Sequence, residues 1–78
     1  MNDDYLLKPL PPKCLKRIKK IYYKGAKVQL VKMEDYQAPK VGAIGTVIKV
    51  DEYGSVKVLW DNGIVLNVLN KIDKIRRI

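Results

Sequence analysis

Between Pro12 and Tyr23 the apolar residues recur every third or fourth position, whereas from Gly25 onward they recur every second position in short runs cut by turn formers. A repeat near 3.6 marks an amphipathic helix and a repeat of 2 marks half-buried strands, so the chain divides at about Gly25. In "PKCLKRIKKIYY", Pro12 suits a first helical position and Gly25 stands where a stop is expected. Leu15, Ile18 and Tyr22 form one stripe with Ile21 alongside. A helix this short is marginal alone, so the stripe has to pack on the rest of the chain or on a partner.

The second period predicts strands at Ala26–Met33, Thr46–Val50, Ser55–Trp60 and Ile64–Val68, with a last strand in "DKIRRI" after a helical turn at Leu69–Ile72. A long first loop, "EDYQAPKVGAIG", separates the first two strands, and short turns, "DEYG" and "DNG", separate the next ones. Val56, Val58 and Trp60 fall on one face, as do Ile64, Leu66 and Val68. Asn62-Gly63 is expected to supply the positive φ angles of a two-residue hairpin, with Asp61 capping it. The whole describes a mostly β domain, a small and strongly bent five-stranded barrel, with a helix before it.

Ahead of the helix, residues 1–11 run into "KPLPP" (Lys8–Pro12), whose prolines block regular hydrogen bonding; residues 1–11 are expected to be a flexible tail. The organisation is therefore a tail at 1–11, a basic amphipathic helix at 12–24 and a barrel at 25–78. With 78 residues there is room for one small core, and no apolar run approaches the roughly 20 residues that span a bilayer. No membrane association is expected. The acidic start, Met1-Asn2-Asp3-Asp4, is followed by no apolar signal core, which points to the cytoplasm.

Charge changes the picture more than size does. The formal net charge is +8. Residues 1–25 hold seven basic and two acidic side chains, and residues 26–78 hold nine and six. A basic segment thus precedes a milder domain, which favours a polyanionic partner. Lys13, Lys16, Arg17, Lys19, Lys20 and Lys24 are the candidate phosphate contacts, with Lys40, Arg76 and Arg77 auxiliary. DNA or RNA is the expected partner.

Catalytic chemistry has little to work with. There is no histidine, and Cys14 is the only cysteine, so histidine-dependent nucleophiles, intramolecular disulfides and the usual zinc sites drop out. Glu34-Asp35, Asp51-Glu52 and Asp61 fall in loops, where acidic residues form turns, and no loop has the alternating oxygens of a calcium site. Gly42-Ala43-Ile44-Gly45 leads into a strand rather than a helix, so it reads as backbone freedom at a barrel corner rather than as a phosphate loop. The chain is expected to be non-enzymatic, with neither cofactor nor metal. Tyr36 and Tyr53 sit at loop tips, where an aromatic ring can stack a base or cover a protein. With Gln37 and the rim near Trp60 they form an alternative protein-contact set.

The pattern "KGAKVQLVK", "VGAIGTVIKV", "SVKVLW" resembles the KOW-type module of ribosomal and transcription factors, which implies a Src-homology-3-like barrel that binds RNA or the transcription machinery. Over Gly25 to Ile78, "VQLVKMED", "QAP", "VGAIGTVI" and "VDEYGSVKVLWDNGIVLNV" look like an uncharacterised domain-of-unknown-function family encoded on bacterial phages, plasmids and conjugative elements, whose members commonly carry a short helical lead. That resemblance implies a mobile-element setting. In such a setting a small protein can inhibit a host nuclease, defence system or polymerase, though a chain this basic is unsuited to mimicking DNA.

Overall fold

In the computed structural model, which describes residues 9–69 and 72–78, one helix precedes five strands. Helix α1 spans Pro12–Ile21, and the strands are β1 Lys27–Lys32, β2 Ile44–Val50, β3 Val56–Trp60, β4 Val65–Val68 and β5 Lys74–Arg77. They form a single antiparallel sheet in the order β4-β3-β2-β1-β5, so β5 returns to pair with β1 while β4 holds the opposite edge. Five strands and a leading helix are as the two periods predict. The first eight residues of the expected tail, and residues 70 and 71 of the expected helical turn, lie outside the described residues. Next to that turn, the Ile72 and Asp73 N–H groups both donate to the Leu69 carbonyl.

The core follows from alternation. In β3 the buried residues are Val56, Val58 and Trp60, and facing them from β1, β2 and β4 are Val28, Leu30, Val47 and Val68. Ala26 completes the set, and no polar or charged side chain is buried among the described residues. Leu66 is half-buried, but Ile64, next to the β3–β4 turn, remains exposed. Trp60, 1% exposed, is the largest core side chain. It lies opposite Gly45 in the β2–β3 register, and a Cβ on Gly45 would come within 2.8 Å of the indole and closer still to Val58 Cγ1. Gly45 is thus the socket for the indole rather than a point of backbone freedom at a corner. The glycine lets an aromatic cross-strand neighbour sit over the backbone.

Both hairpins that flank β3 have three-residue loops. In the second, the Gly63 N–H donates to the Trp60 carbonyl (2.9 Å), and the Trp60 N–H donates to the Ile64 carbonyl (2.9 Å). This is a turn over Asp61-Asn62 followed by Gly63 at φ +85°, not the expected two-residue hairpin over Asn62-Gly63. The reason lies in Asp61, whose N–H is taken by the Ile44 carbonyl of β2 (3.0 Å) and so cannot pair across the hairpin. The cap differs too: it is the Asn62 Oδ1, not Asp61, that accepts the Ile64 N–H. The β2–β3 hairpin repeats this backbone, with Gly54 donating to Asp51 (3.1 Å) and Asp51 to Ser55 (3.0 Å).

Helix α1 is set against one end of the sheet. It begins at Pro12 with no side-chain cap, and Ile18 and Tyr22 pack on the core. Three contacts fix its approach. The Leu10 N–H donates to the Glu52 carbonyl at 2.9 Å, the Tyr22 hydroxyl donates to the Ile75 carbonyl at 3.4 Å, and Arg77 Nη1 donates to the Ile21 carbonyl at 3.3 Å. Tyr22 leaves the helical conformation (φ −109°, ψ 65°), so the helix ends at Ile21 and Lys24 lies on the following turn.

Candidate nucleic-acid interface

A helix that buries one stripe must present the other to solvent, and here the second stripe is basic. At about 100° per residue, Lys13, Lys16, Arg17 and Lys20 share the side opposite Leu15, Ile18 and Tyr22. Lys19 flanks them. All five cations are exposed, as is Lys24 on the turn. The helix carries no acidic residue, and Lys19 and Lys20 occupy its last turn, where the carbonyl ends favour cations. Among the described residues the ion pair is Lys32 with Glu34, at 3.9 Å and largely exposed on both sides. The helix cations therefore have no intramolecular carboxylate partner there. Among the described residues their side chains make no ion pair or hydrogen bond that ties the fold together.

The auxiliary residues separate. Lys40 is exposed in the β1–β2 loop, far along the chain from the helix. Arg76 is exposed on β5, where its Nε donates to Gln29 Oε1 at 2.8 Å. Arg77 is half-buried and turned toward the helix, with its guanidinium over the Tyr23 ring at 4.8 Å and on the Ile21 carbonyl. Adjacent positions on one strand point to opposite faces, so Arg76 and Arg77 cannot act as a pair. Arg77 is a structural tie between β5 and the end of the helix.

The alternative protein-contact set separates as well. Trp60 is buried in the core and offers no rim, because alternation turns it inward with Val56 and Val58. Tyr36 is 95% exposed in the β1–β2 loop, with Gln37 donating to its hydroxyl at 3.3 Å. Val41, 74% exposed, belongs to the same loop. Tyr53 is exposed on the separate β2–β3 turn.

An open apolar groove of about 290 Å³ runs between the helix and the sheet, lined by Ile18, Tyr22, Val31, Val68, Leu69 and Ile75 among others. Asp73 and Lys74 also contribute to its lining. No group of three or more histidine, cysteine, aspartate or glutamate side chains comes together among the described residues. No helix among them is long and apolar enough to cross a membrane.

The family model described as "Domain of unknown function (DUF4314)" matches residues 11–78. The chain belongs to the DUF4314 family. Among curated proteins and among solved structures, no match to it is found. The DUF4314 match takes in α1 together with all five strands, so the basic helix is part of the family unit rather than an appendage to it.

One set of cations lies outside the contiguous basic run of the sequence. Lys27, Lys49 and Lys57 lie within strands of the DUF4314 domain, on the side away from the core. Their signal was present in the alternation, since Lys57 stands between the inward Val56 and Val58. A helical cluster is contiguous in sequence and easily seen, whereas cations gathered from separate strands become neighbours only once the register is known.

Proposed function

We propose that this DUF4314 domain is a non-enzymatic binding module that holds nucleic acid mainly through phosphate contacts. The observation that supports it is the helix: exposed cations opposite the packed stripe, with no carboxylate on the same element. Such a face costs repulsion in the free protein, and a polyanion relieves it by releasing its own counterions. Lys13, Lys16, Arg17, Lys19, Lys20 and Lys24 carry the main electrostatic surface in this reading, with Lys40 and Arg76 auxiliary. Arg77 is withdrawn from the contact set by its engagement with Ile21 and Tyr23. We read the five-stranded sheet as Src-homology-3-like, on the return of β5 to β1, the long first loop and the tight later hairpins. A bacterial mobile-element setting and action in the cytoplasm belong to the same proposal.

The test is salt. Binding of a labelled DNA duplex or single-stranded RNA should weaken steeply between about 50 and 200 mM salt, with a logarithmic slope close to one unit per phosphate contact. Replacing Lys16, Arg17, Lys19 and Lys20 with glutamine should reduce that slope by roughly one unit per residue without changing the fold. Absence of binding at about 50 mM salt would exclude the reading.

A second reading rests on Tyr36 and Val41. Two exposed apolar side chains on one loop fit a protein contact better than a phosphate backbone. In that case the module serves as an interaction domain, with an inhibitor of a host nuclease, defence system or polymerase as the mobile-element version. Capture from nuclease-treated lysate that is lost in Tyr36→Ser/Val41→Ser, with salt-insensitive nucleic-acid binding or none, would favour it.

A further inference from the structure

Every charged residue inside a strand is basic: Lys27 and Lys32 on β1, Lys49 on β2, Lys57 on β3, and Lys74, Arg76 and Arg77 on β5. The acidic residues of the described chain, Glu34, Asp35, Asp51, Glu52, Asp61 and Asp73, all stand in loops and turns. Four of the strand lysines face one another in two pairs. Lys49 is the cross-strand partner of Lys57, and Lys32 is the partner of Lys74. Like charges placed opposite one another weaken a sheet.

Each pair adjoins a register shift. Val47 pairs with Val58, but the next partner of β3 is Lys49, so Ile48 is an extra residue; on β1, Leu30 pairs with Ile75 and Lys32 with Lys74, so Val31 is extra. Strict alternation would turn Lys49 inward and Val50 outward. The shift returns Val50 to the core and sends Lys49 out beside Lys57. Keeping Val50 inside requires an outward side chain at 49 but not a positive one, and a glutamate there would attract Lys57. On the same outer face, neutral acceptors hold two further cations in place. Lys27 Nζ donates to Thr46 Oγ1 at 2.6 Å, and Arg76 Nε donates to Gln29 Oε1, while Gln29 Nε2 donates to the Gly42 carbonyl at 3.2 Å. Hydrogen bonds to neutral groups order a cation without cancelling its charge.

We infer that the outer face of the sheet is a second phosphate-binding surface, separate from the helix, formed by Lys27, Lys49, Lys57, Lys74 and Arg76 and suited to a nucleic-acid backbone. This rests on the nucleic-acid reading above. The surface lies on the opposite side of the sheet from the inward residues of β1 and β3, whereas the helix cations point outward from the other side of the helix stripe. Lys74 and Arg76 are two residues apart on one strand, a repeat of about 6.8 Å, and a regular array of cations matches a regular array of phosphates better than an irregular acidic protein surface.

Four variants decide it: a helix set (Lys16→Gln, Arg17→Gln, Lys19→Gln, Lys20→Gln), a sheet set (Lys27→Gln, Lys49→Gln, Lys57→Gln, Arg76→Gln), the two combined, and a double variant within the sheet set. Fluorescence anisotropy with a labelled DNA duplex and a labelled single strand is read across about 50 to 200 mM salt, with circular dichroism as the check of fold. The helix set should retain salt-dependent binding that the combined set loses. The sheet set should weaken wild-type binding by roughly tenfold or more near 100 mM salt and lower the slope by about three to four units. The double variant Lys49→Gln/Lys57→Gln, which breaks neither of the two neutral hydrogen bonds, should lower it by about two. If the helix set binds no better than the combined set, the sheet surface is overturned while the helix reading stands. If the wild-type chain binds neither probe, both readings fall. Competition by polyglutamate as strong as by nucleic acid at equal charge would give the surface to an acidic protein and overturn the inference.

Discussion

The turns at either end of β3 have one backbone and two different fates. In each, a glycine in the left-handed region donates to the carbonyl of the residue just before the three-residue loop, and that residue's N–H reaches the carbonyl four positions on. Around Gly63 there is open space where a Cβ would stand. Around Gly54 there is none, because Leu10 and Ile18 lie against it. The β3–β4 turn only reverses the chain. The β2–β3 turn reverses the chain and also receives the helix, through Gly54 as a contact surface and the Glu52 carbonyl as the acceptor for Leu10. One turn geometry serves as a plain connector or as a dock, depending on what the neighbouring chain lays over it.

The largest expected effect breaks this comparison at its centre. In Gly54→Ala the new Cβ meets Leu10 Cδ1 in hard contact and Ile18 Cδ1 at 3.2 Å, in addition to the strain of a left-handed alanine. Strain of about 1–2 kcal/mol and overpacking of about 1–3 kcal/mol together predict a loss of about 2–5 kcal/mol, partly avoided if the helix lifts off. In Gly63→Ala only the strain remains, about 1–2 kcal/mol. Chemical denaturation measures both. Limited proteolysis should find early cleavage around α1 in Gly54→Ala and not in Gly63→Ala. Equal losses in the two variants would mean that the helix contributes nothing at Gly54.

The difference between the turns also marks where the sequence was legible. "DEYG" and "DNG" each announce a reversal, because aspartate, asparagine and glycine offer local hydrogen bonds and positive φ. The alternation of Val56, Val58 and Trp60 announces the buried face of β3. What could not be read is anything set by another strand: the loop is one residue longer than expected because Ile44 takes the Asp61 N–H, and Gly45 proves to be a socket because Trp60 faces it. The helix cations form a contiguous run and were legible as a basic face. The outer-face lysines were legible only in part: alternation turns Lys27 and Lys57 outward, but the register shift after Val47 decides which side Lys49 faces and which lysine it meets.

A smaller effect sharpens the comparison at the caps. Asp51 Oδ1 accepts from both Tyr53 and Ser55 at 2.9 Å, whereas Asn62 Oδ1 accepts from Ile64 alone at 3.0 Å. A charged acceptor with two backbone donors is worth more than an amide with one. Asp51→Ala should therefore cost about 1.5–3 kcal/mol and Asn62→Ala about 0.5–1 kcal/mol, read from denaturant midpoints at unchanged slope. The reverse order would mean that solvent satisfies the Tyr53 and Ser55 N–H groups as well as the carboxylate does.

The smallest effect lies in the stems. Beside the β3–β4 turn the outward cross-strand pair is Leu59 with Val65, which is apolar and favourable; beside the β2–β3 turn it is Lys49 with Lys57, which repels. If the lysine pair were there only to solubilise the sheet, neutralising one partner would leave binding untouched. Lys49→Gln should instead raise stability by roughly 0.2–1 kcal/mol, since it removes the repulsion and leaves Val50 in the core. The same substitution should lower the salt slope of nucleic-acid binding by about one unit. The stability gain should shrink at high salt, because exposed charges are screened over about 10 Å at 0.1 M and about 3 Å at 1 M. A gain in stability together with a loss of binding is what separates a surface kept for a polyanion from one kept for solubility, and Leu59→Gln, which alters the neighbouring stem without changing its charge, should leave the salt slope where it is.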